Sequence, residues 1–366
     1  MSTLPLQDPS SLPIPDGQPS TKRQAAFLRD AVYRFPARYR VVWLALVFII
    51  ILCLVAAPAA FHTDSIRFIL AIAGVLAIAS TGQLLVVMLG GIDLSVPAIM
   101  TFAGAIVVHQ SESQNGKLVE AIVVAIVIAL IIGLVNGLLV AVVKLNALIV
   151  TLAMAGVVFG VSLLWVGSNY SSTGTVPETL GDFANSNLGP ISIIAFIGIG
   201  VIVIIALLLR STRTGRSYVA SGTNPAAARV IGIRVIAYEV GGYVAAAGLY
   251  AIAGILLAGL LRNPNETLGA PYQLQTIIAV ALAGAALGGG PASVVGTWVA
   301  CLFLGFVTQF LTLKGYSGGV SELVNGALLL IAVMLVTVGS RVRSAVRFLH
   351  RRTNAASREA PSASSP

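Results

Sequence analysis

The chain has 366 residues, of which 57% are hydrophobic and only 10% charged, with a mean hydropathy of +0.95. Ordinary soluble domains carry about 25% charged residues, so a water-soluble globular protein is excluded and an integral membrane protein is indicated. The net charge of +9 gathers beside apolar runs, as in membrane proteins with basic cytoplasmic segments, and no nucleic-acid partner is expected.

From the start, residues 1–40 read as a disordered, basic cytoplasmic N-terminus: Met1–Ser20 is rich in Pro, Ser and Asp, and Lys22, Arg23, Arg29, Arg34, Arg38 and Arg40 follow. The first apolar run is Val41–Ala60. Others follow at Ile66–Leu89, Ser95–His109, Leu118–Val143, Ala147–Val166, Ile191–Leu209, Ile236–Leu261, Leu274–Leu287, Ala292–Leu313 and Val320–Val338. Runs near 20 residues favour helices over a barrel. The expected fold class is therefore all-α, a polytopic transmembrane helical bundle of about ten spans over residues 41–338, with both termini cytoplasmic. In that arrangement 18 of the 22 Lys and Arg residues lie on the cytoplasmic side, as the positive-inside rule requires.

Ser95–His109 and Leu274–Leu287 are short for a hydrocarbon core of about 30 Å. Two readings stand, a broken or re-entrant span and a boundary misplaced by a few residues. The outer loops would be Ser111–Lys117, Gly167–Pro190, Arg262–Tyr272 and Lys314–Gly319, and Asn169-Tyr170-Ser171 matches a glycosylation pattern. Residues 210–235 form the one long basic interruption in the second half. Within it Asn224 is a good cap, Pro225 suits the first helical position and Gly232 is a good stop. The two-turn helix so bounded is too short to stand alone, and needs a surface from the chain's own loops, the membrane or a partner. In the basic tail, 339–366, Val342, Ala345, Val346 and Leu349 alternate with Arg343, Arg347, Arg351 and Arg352. That spacing fits an amphipathic helix on anionic membrane lipids, or a plain stop signal. Leu89-Gly90-Gly91 through Ser95-Val96 echoes Leu287-Gly288-Gly289-Gly290 through Ser293-Val294, by duplication or because both are glycine turns between packed helices.

Catalytic chemistry finds no foothold. His62, His109 and His350 lie apart, without metal-ligand spacing, and no G-x-x-x-x-G-K-[ST] loop is present, so ATP-driven work would need another subunit. No metal and no cofactor are expected. Cys53 and Cys301 lie inside apolar runs, as small packing residues. Asp93 reads either as a helix cap, shared with Ser95, or as a substrate or proton contact at membrane depth. Glu239 and Glu322 read as interfacial or helix-pairing groups. Gln83, Thr101, Asn136, Thr151, Thr276 and Gln309 are polar groups inside spans, suited to a sugar-like path or to interhelical bonding, and Gly133/Gly137 and Gly156/Gly160 have the spacing for close helix approach.

The chain resembles the membrane permeases of ribose-type (monosaccharide) ABC importers. The likeness rests on Gly90-Gly91-Ile92-Asp93-Leu94-Ser95-Val96, on Asn136-Gly137-Leu138-Leu139-Val140, on Leu148-Ile149-Val150-Thr151-Leu152, on Thr214-Gly215-Arg216 through Gly222-Thr223-Asn224-Pro225-Ala226-Ala227-Ala228-Arg229 to Gly232-Ile233, and on Gly288-Gly289-Gly290. Pro97-Ala98 stands where the family usually has Gly-Ser. The resemblance implies a non-enzymatic permease in the bacterial inner membrane, importing a small polar solute such as a monosaccharide. A nucleoside, an autoinducer or a branched amino acid is the alternative solute, and an ion-coupled secondary carrier the alternative class. It implies as partners a second permease chain, in a homo- or heterodimer, and a periplasmic or surface solute-binding protein. It further implies cytoplasmic ATP-binding cassette subunits docked on residues 210–235, through Gly215, Arg216, Gly222, Asn224, Pro225, Ala228, Arg229 and Gly232.

Overall fold

A computed structural model describes residues 37–166, 174–286 and 288–335. The chain is an all-α helical membrane protein. Its helices are α1 (Ala37–Ala56), α2 (Thr63–Met88), α3 (Val96–Ser111), α4 (Leu118–Ala141), α5 (Ala147–Val166), α6 (Glu178–Asn185), α7 (Ile193–Ser211), α8 (Arg213–Thr223), α9 (Pro225–Val230), α10 (Val235–Leu261), α11 (Tyr272–Leu282), α12 (Val294–Leu313) and α13 (Gly318–Leu335). Two-residue strands, β1 (Asn187–Leu188) and β2 (Ile191–Ser192), pair antiparallel before α7. Among the described residues seven helices are long and apolar enough to cross a membrane, namely α2, α4, α5, α7, α10, α12 and α13, while α1, α3 and α11 are shorter apolar helices. Each apolar run read from the sequence overlaps one of these ten helices within the described residues.

The bundle is built around α2. Every residue from Ala73 to Met88 is buried, as expected of a helix that is apolar all round, and α7, α10, α11 and α12 pack on it. The second organising helix, α10, packs on α2, α3 and α4 through small residues such as Ala246, Ala247, Ala251 and Gly254. By contrast α4 buries one stripe, including Ala121, Ala125, Ala129, Gly133 and Gly137. Val119, Val123, Val127 and Ile131 on its other side are exposed, as suits an apolar helix in a membrane protein.

Gly133 and Gly137 bring α4 against α10. A Cβ on Gly133 would lie 2.6 Å from the Tyr243 carbonyl oxygen, and one on Gly137 2.9 Å from Val240 Cα. Gly156 and Gly160 differ: nothing among the described residues comes within 4 Å of a Cβ there, so that pair approaches no other described helix. Gly133→Val is therefore expected to destabilise the chain by about 1–3 kcal/mol through overpacking, read as a lower melting temperature in detergent, with Gly156→Val close to wild type.

Two segments depart from the sequence reading. The stretch Gly167–Pro190, read as an outer loop, contains α6, whose Leu180, Gly181 and Ala184 are buried against α10. Residues 210–235 hold two helices, α8 and α9, in place of one. Among the isolated charges, Glu239 pairs with Lys144 at 3.2 Å, a helix-pairing role, and Glu322 is exposed. Cys53 and Cys301 are buried and unbonded to each other. The N-terminal segment to residue 36, Asn169-Tyr170-Ser171, Leu287 and the basic tail with its Val342–Leu349 pattern lie outside the described residues.

Candidate functional site

Between α2 and α3 the backbone of Leu89–Ser95 is turn and irregular chain. Non-helical backbone in a membrane protein survives only where other groups satisfy its N–H and C=O groups. Here side chains do so. With its amide oriented to match its partners, Gln83 Nε2 donates to the Asp93 carbonyl (3.0 Å) and to Tyr250 Oη (3.1 Å), while its Oε1 accepts from the Asp93 N–H (3.2 Å). The Leu94 N–H donates to Thr151 Oγ1 at 2.9 Å, and that hydroxyl donates to the Ala147 carbonyl of its own helix at 2.8 Å. Asp93 Oδ1 accepts from the Ser95 N–H at 2.8 Å and from Ser95 Oγ at 2.5 Å. Asn136 Nδ2 completes the chain by donating to Ser95 Oγ at 3.2 Å.

The two readings of Asp93 now separate. Ser95 is the N-cap residue of α3, yet no side chain bonds the first-turn N–H groups. Asp93 instead folds the chain into α3 through a local turn, accepting from the residue two positions on, and the Ser95 hydroxyl donates to Asp93 where a cap would accept. The helix-cap reading is corrected in that respect.

Helices α2, α4, α5 and α10 thus each send side chains to one break, bringing Gln83, Asp93, Asn136 and Thr151 together. The other sequence candidates are bonded elsewhere. Thr101 Oγ1 accepts from the Gly269 N–H at 2.9 Å, Thr276 Oγ1 donates to Gln273 O of its own helix at 3.3 Å, and Gln309 Nε2 donates to Ser65 Oγ at 3.2 Å. Sequence reasoning missed Tyr243 and Tyr250, both buried. Their spacing of two helical turns in a helix otherwise rich in Gly and Ala was the available signal. Two buried atoms at the cluster, Asn136 Oδ1 and Tyr243 Oη, have no hydrogen-bond partner among the described residues, and a Cβ on Gly91 would sit 2.5 Å from that Tyr243 hydroxyl.

A polar layer adjoins the break. Thr212 caps α8, its Oγ1 accepting from the Gly215 N–H at 2.9 Å, and Gly215, Tyr218, Ser221 and Gly222 form the buried face of α8. Tyr218 Oη donates to the Leu85 carbonyl of α2 at 2.7 Å, and its ring stands edge-on to Tyr238, centroids 6.2 Å apart. Burial, then the neighbouring Tyr243, raises the Tyr218 pKa far above the ordinary phenol value, so the group keeps its proton. Asn224 Oδ1 accepts from the Ala227 N–H at 3.0 Å, Pro225 opens α9 and Gly232 ends it with φ +82°, in line with the sequence reading. Of α9 only Ala228 is buried. Arg216 and Arg229 are exposed, and so are Val230 and Ile231, at 87% and 73%.

The two glycine turns that echo each other in sequence meet in space. The Gly290 N–H donates to the Met88 carbonyl at 2.8 Å. A Cβ on Gly289 would lie 2.5 Å from the Gly222 carbonyl oxygen, and one on Gly222 would collide with the Met88 carbonyl oxygen. Gly90, Gly289 and Gly290 all have positive φ, which L side chains resist. Three backbones therefore touch without intervening side chains. Among the described residues no three His, Cys, Asp or Glu side chains gather as metal ligands; what the arrangement offers is hydrogen bonding and mechanical contact.

Comparison with known proteins shows the family. Residues 65–333 match the family model described as branched-chain amino acid transport system / permease component. The chain is 32% identical to the ribose import permease protein RbsC of Escherichia coli over 80% of its own length and 91% of that protein's. It is 36% identical to the ribose import permease protein RbsC of Bacillus subtilis over 69% and 79%. To the autoinducer 2 import system permease protein LsrD of Escherichia coli it is 30% identical over 59% and 67%. No solved structure matches.

Proposed function

Since the chain belongs to the family of branched-chain amino acid transport system / permease components, we propose that it is the permease subunit of an ATP-driven importer for a small polar solute, a monosaccharide such as ribose. The solute class follows the names of the ribose permease relatives. Similarity to the autoinducer 2 permease favours a second reading, a furanone-type solute. Ten spans over residues 41–338, with residues 1–40 and 339–366 cytoplasmic, put residues 210–235 on the cytoplasmic side of a bacterial inner membrane. A second permease chain and a solute-binding protein complete the importer.

The observation that carries this reading is the mismatch on α9. A two-turn helix cannot hold itself together, yet this one anchors only Ala228 and leaves Arg229, Val230 and Ile231 exposed. An apolar pair beside a cation suits a protein partner better than water, and the chain lacks an ATPase of its own. The cytoplasmic ATP-binding cassette subunits are that partner. Gln83, Asp93, Asn136 and Thr151 lie on the solute path as its movable polar section, with Thr101, Thr276 and Gln309 further along it.

The test is reconstitution with the cognate ATPase subunits and binding protein in proteoliposomes. Wild type should import radiolabelled ribose on ATP addition, and Arg229→Glu should lower ATPase co-purification by about tenfold, the effect of a like-charge or lost-pair penalty near 1.4 kcal/mol. Full co-purification by both Arg229→Glu and the Asn224→Ala/Pro225→Ala double variant would remove the docking role of α9.

A further inference from the structure

The end of α2 is held by other elements. A helix leaves its last four carbonyls without intrahelical donors, here those of Leu85, Val86, Val87 and Met88. Its own turn supplies two: the Gly91 N–H donates to Val86 O at 3.2 Å and the Gly90 N–H to Val87 O at 3.0 Å. Met88 O is satisfied by the Gly290 N–H, 2.8 Å away. Leu85 O is satisfied from another layer altogether, by the hydroxyl of Tyr218 on α8 at 2.7 Å. That hydroxyl has space only because α10 carries glycine opposite it, since a Cβ on Gly242 would lie 2.7 Å from Tyr218 Oη.

We propose that Tyr218 is a positioning residue for transport, whose hydroxyl ties the α8–α9 layer to the last turn of α2 and so carries movement of that layer into the Leu89–Ser95 break. The proposal rests on the reading of α9 as the ATPase-docking element. Its mechanical logic is separate from docking. The Tyr218 side chain is buried and faces the bundle, so it cannot form part of the exposed docking surface. Four residues after Leu85 the helix has ended, and four further on stands Asp93, whose N–H and C=O are held by Gln83. A pull on Leu85 and Met88 therefore reaches Asp93 through a short length of chain, Leu89–Asp93, whose far end is held by Gln83.

The experiment uses the full importer complex in proteoliposomes with Tyr218→Phe, which keeps the ring and its contact with Tyr238. Expected are wild-type co-purification of the ATPase subunits, a melting temperature within a few degrees of wild type, and solute imported per ATP hydrolysed lowered on the order of tenfold, the equivalent of one lost hydrogen bond. Gly242→Ala, which crowds the hydroxyl from α10 without removing it, should lower the same ratio. Import per ATP at the wild-type value in Tyr218→Phe overturns the inference and leaves the docking reading intact. Loss of ATPase co-purification in Tyr218→Phe also overturns it, by making Tyr218 a determinant of assembly. A wild-type chain that neither binds the ATPases nor imports removes both.

Discussion

Gly222→Val is expected to abolish import and to leave little folded chain in the membrane. The reason is the meeting of backbones at the end of α2, where a Cβ on Gly222 collides with the Met88 carbonyl oxygen. That atom is the far end of no flexible side chain; it is helix backbone already bonded to the Gly290 N–H. Relief requires α8 to move off α2, which breaks the bond from Tyr218 to Leu85 as well. The combined cost is about 3 kcal/mol or more, the upper range for overpacking. Yield by fluorescence-detected size exclusion and the thermal midpoint measure it. Gly241→Ala is the control, because nothing among the described residues lies within 4 Å of a Cβ there; equal losses for both variants would show that the junction is not special.

Gln83→Leu should be nearly as damaging for a different reason. Leucine fits the volume but strands the Asp93 N–H and C=O, both bonded by Gln83, inside the bundle. At about 1–3 kcal/mol for each unsatisfied buried group, the loss is roughly 2–6 kcal/mol. Thr276→Val, which removes only a bond to its own helix, should cost well under about 1 kcal/mol. Thermal denaturation of the two variants in the same detergent distinguishes them, and a Gln83→Leu midpoint equal to that of Thr276→Val would mean that the Leu89–Ser95 break is not held by Gln83.

The large helices are legible in the sequence because the signal that defines them is one-dimensional. Apolar runs stop at Gly-Gly, at charge clusters or at proline, and those are also the places where the helices stop. Helix α8 is hidden for the opposite reason. Its sequence, Arg213 to Thr223, contains two glycines and little apolar residue content, so neither propensity nor hydropathy marks it. It is helical because Gly215 and Gly222 let it lie against the backbones of Leu208–Leu209 and Met88, a fit that exists only in three dimensions. The polar cluster shows the same division. That Gln83, Asn136 and Thr151 are costly inside spans can be read from the chain; that they converge on one break, while Thr101, Thr276 and Gln309 do not, depends on how four helices are placed. Asp93 illustrates both sides, since its turn with Ser95 is local in the chain, whereas the bonds from Gln83 to its N–H and C=O depend on where α2 lies.

The contact between Tyr218 and Leu85 has a thermodynamic side. A joint that lets one site act on another must, at equilibrium, work equally well in reverse. Under the proposed function, whatever factor ATPase docking on α9 applied to solute affinity at the Leu89–Ser95 break, solute at the break would apply to docking affinity. On the proposed function, binding of solute would therefore act on ATPase docking through the same Tyr218 hydroxyl by which docking acts on the break.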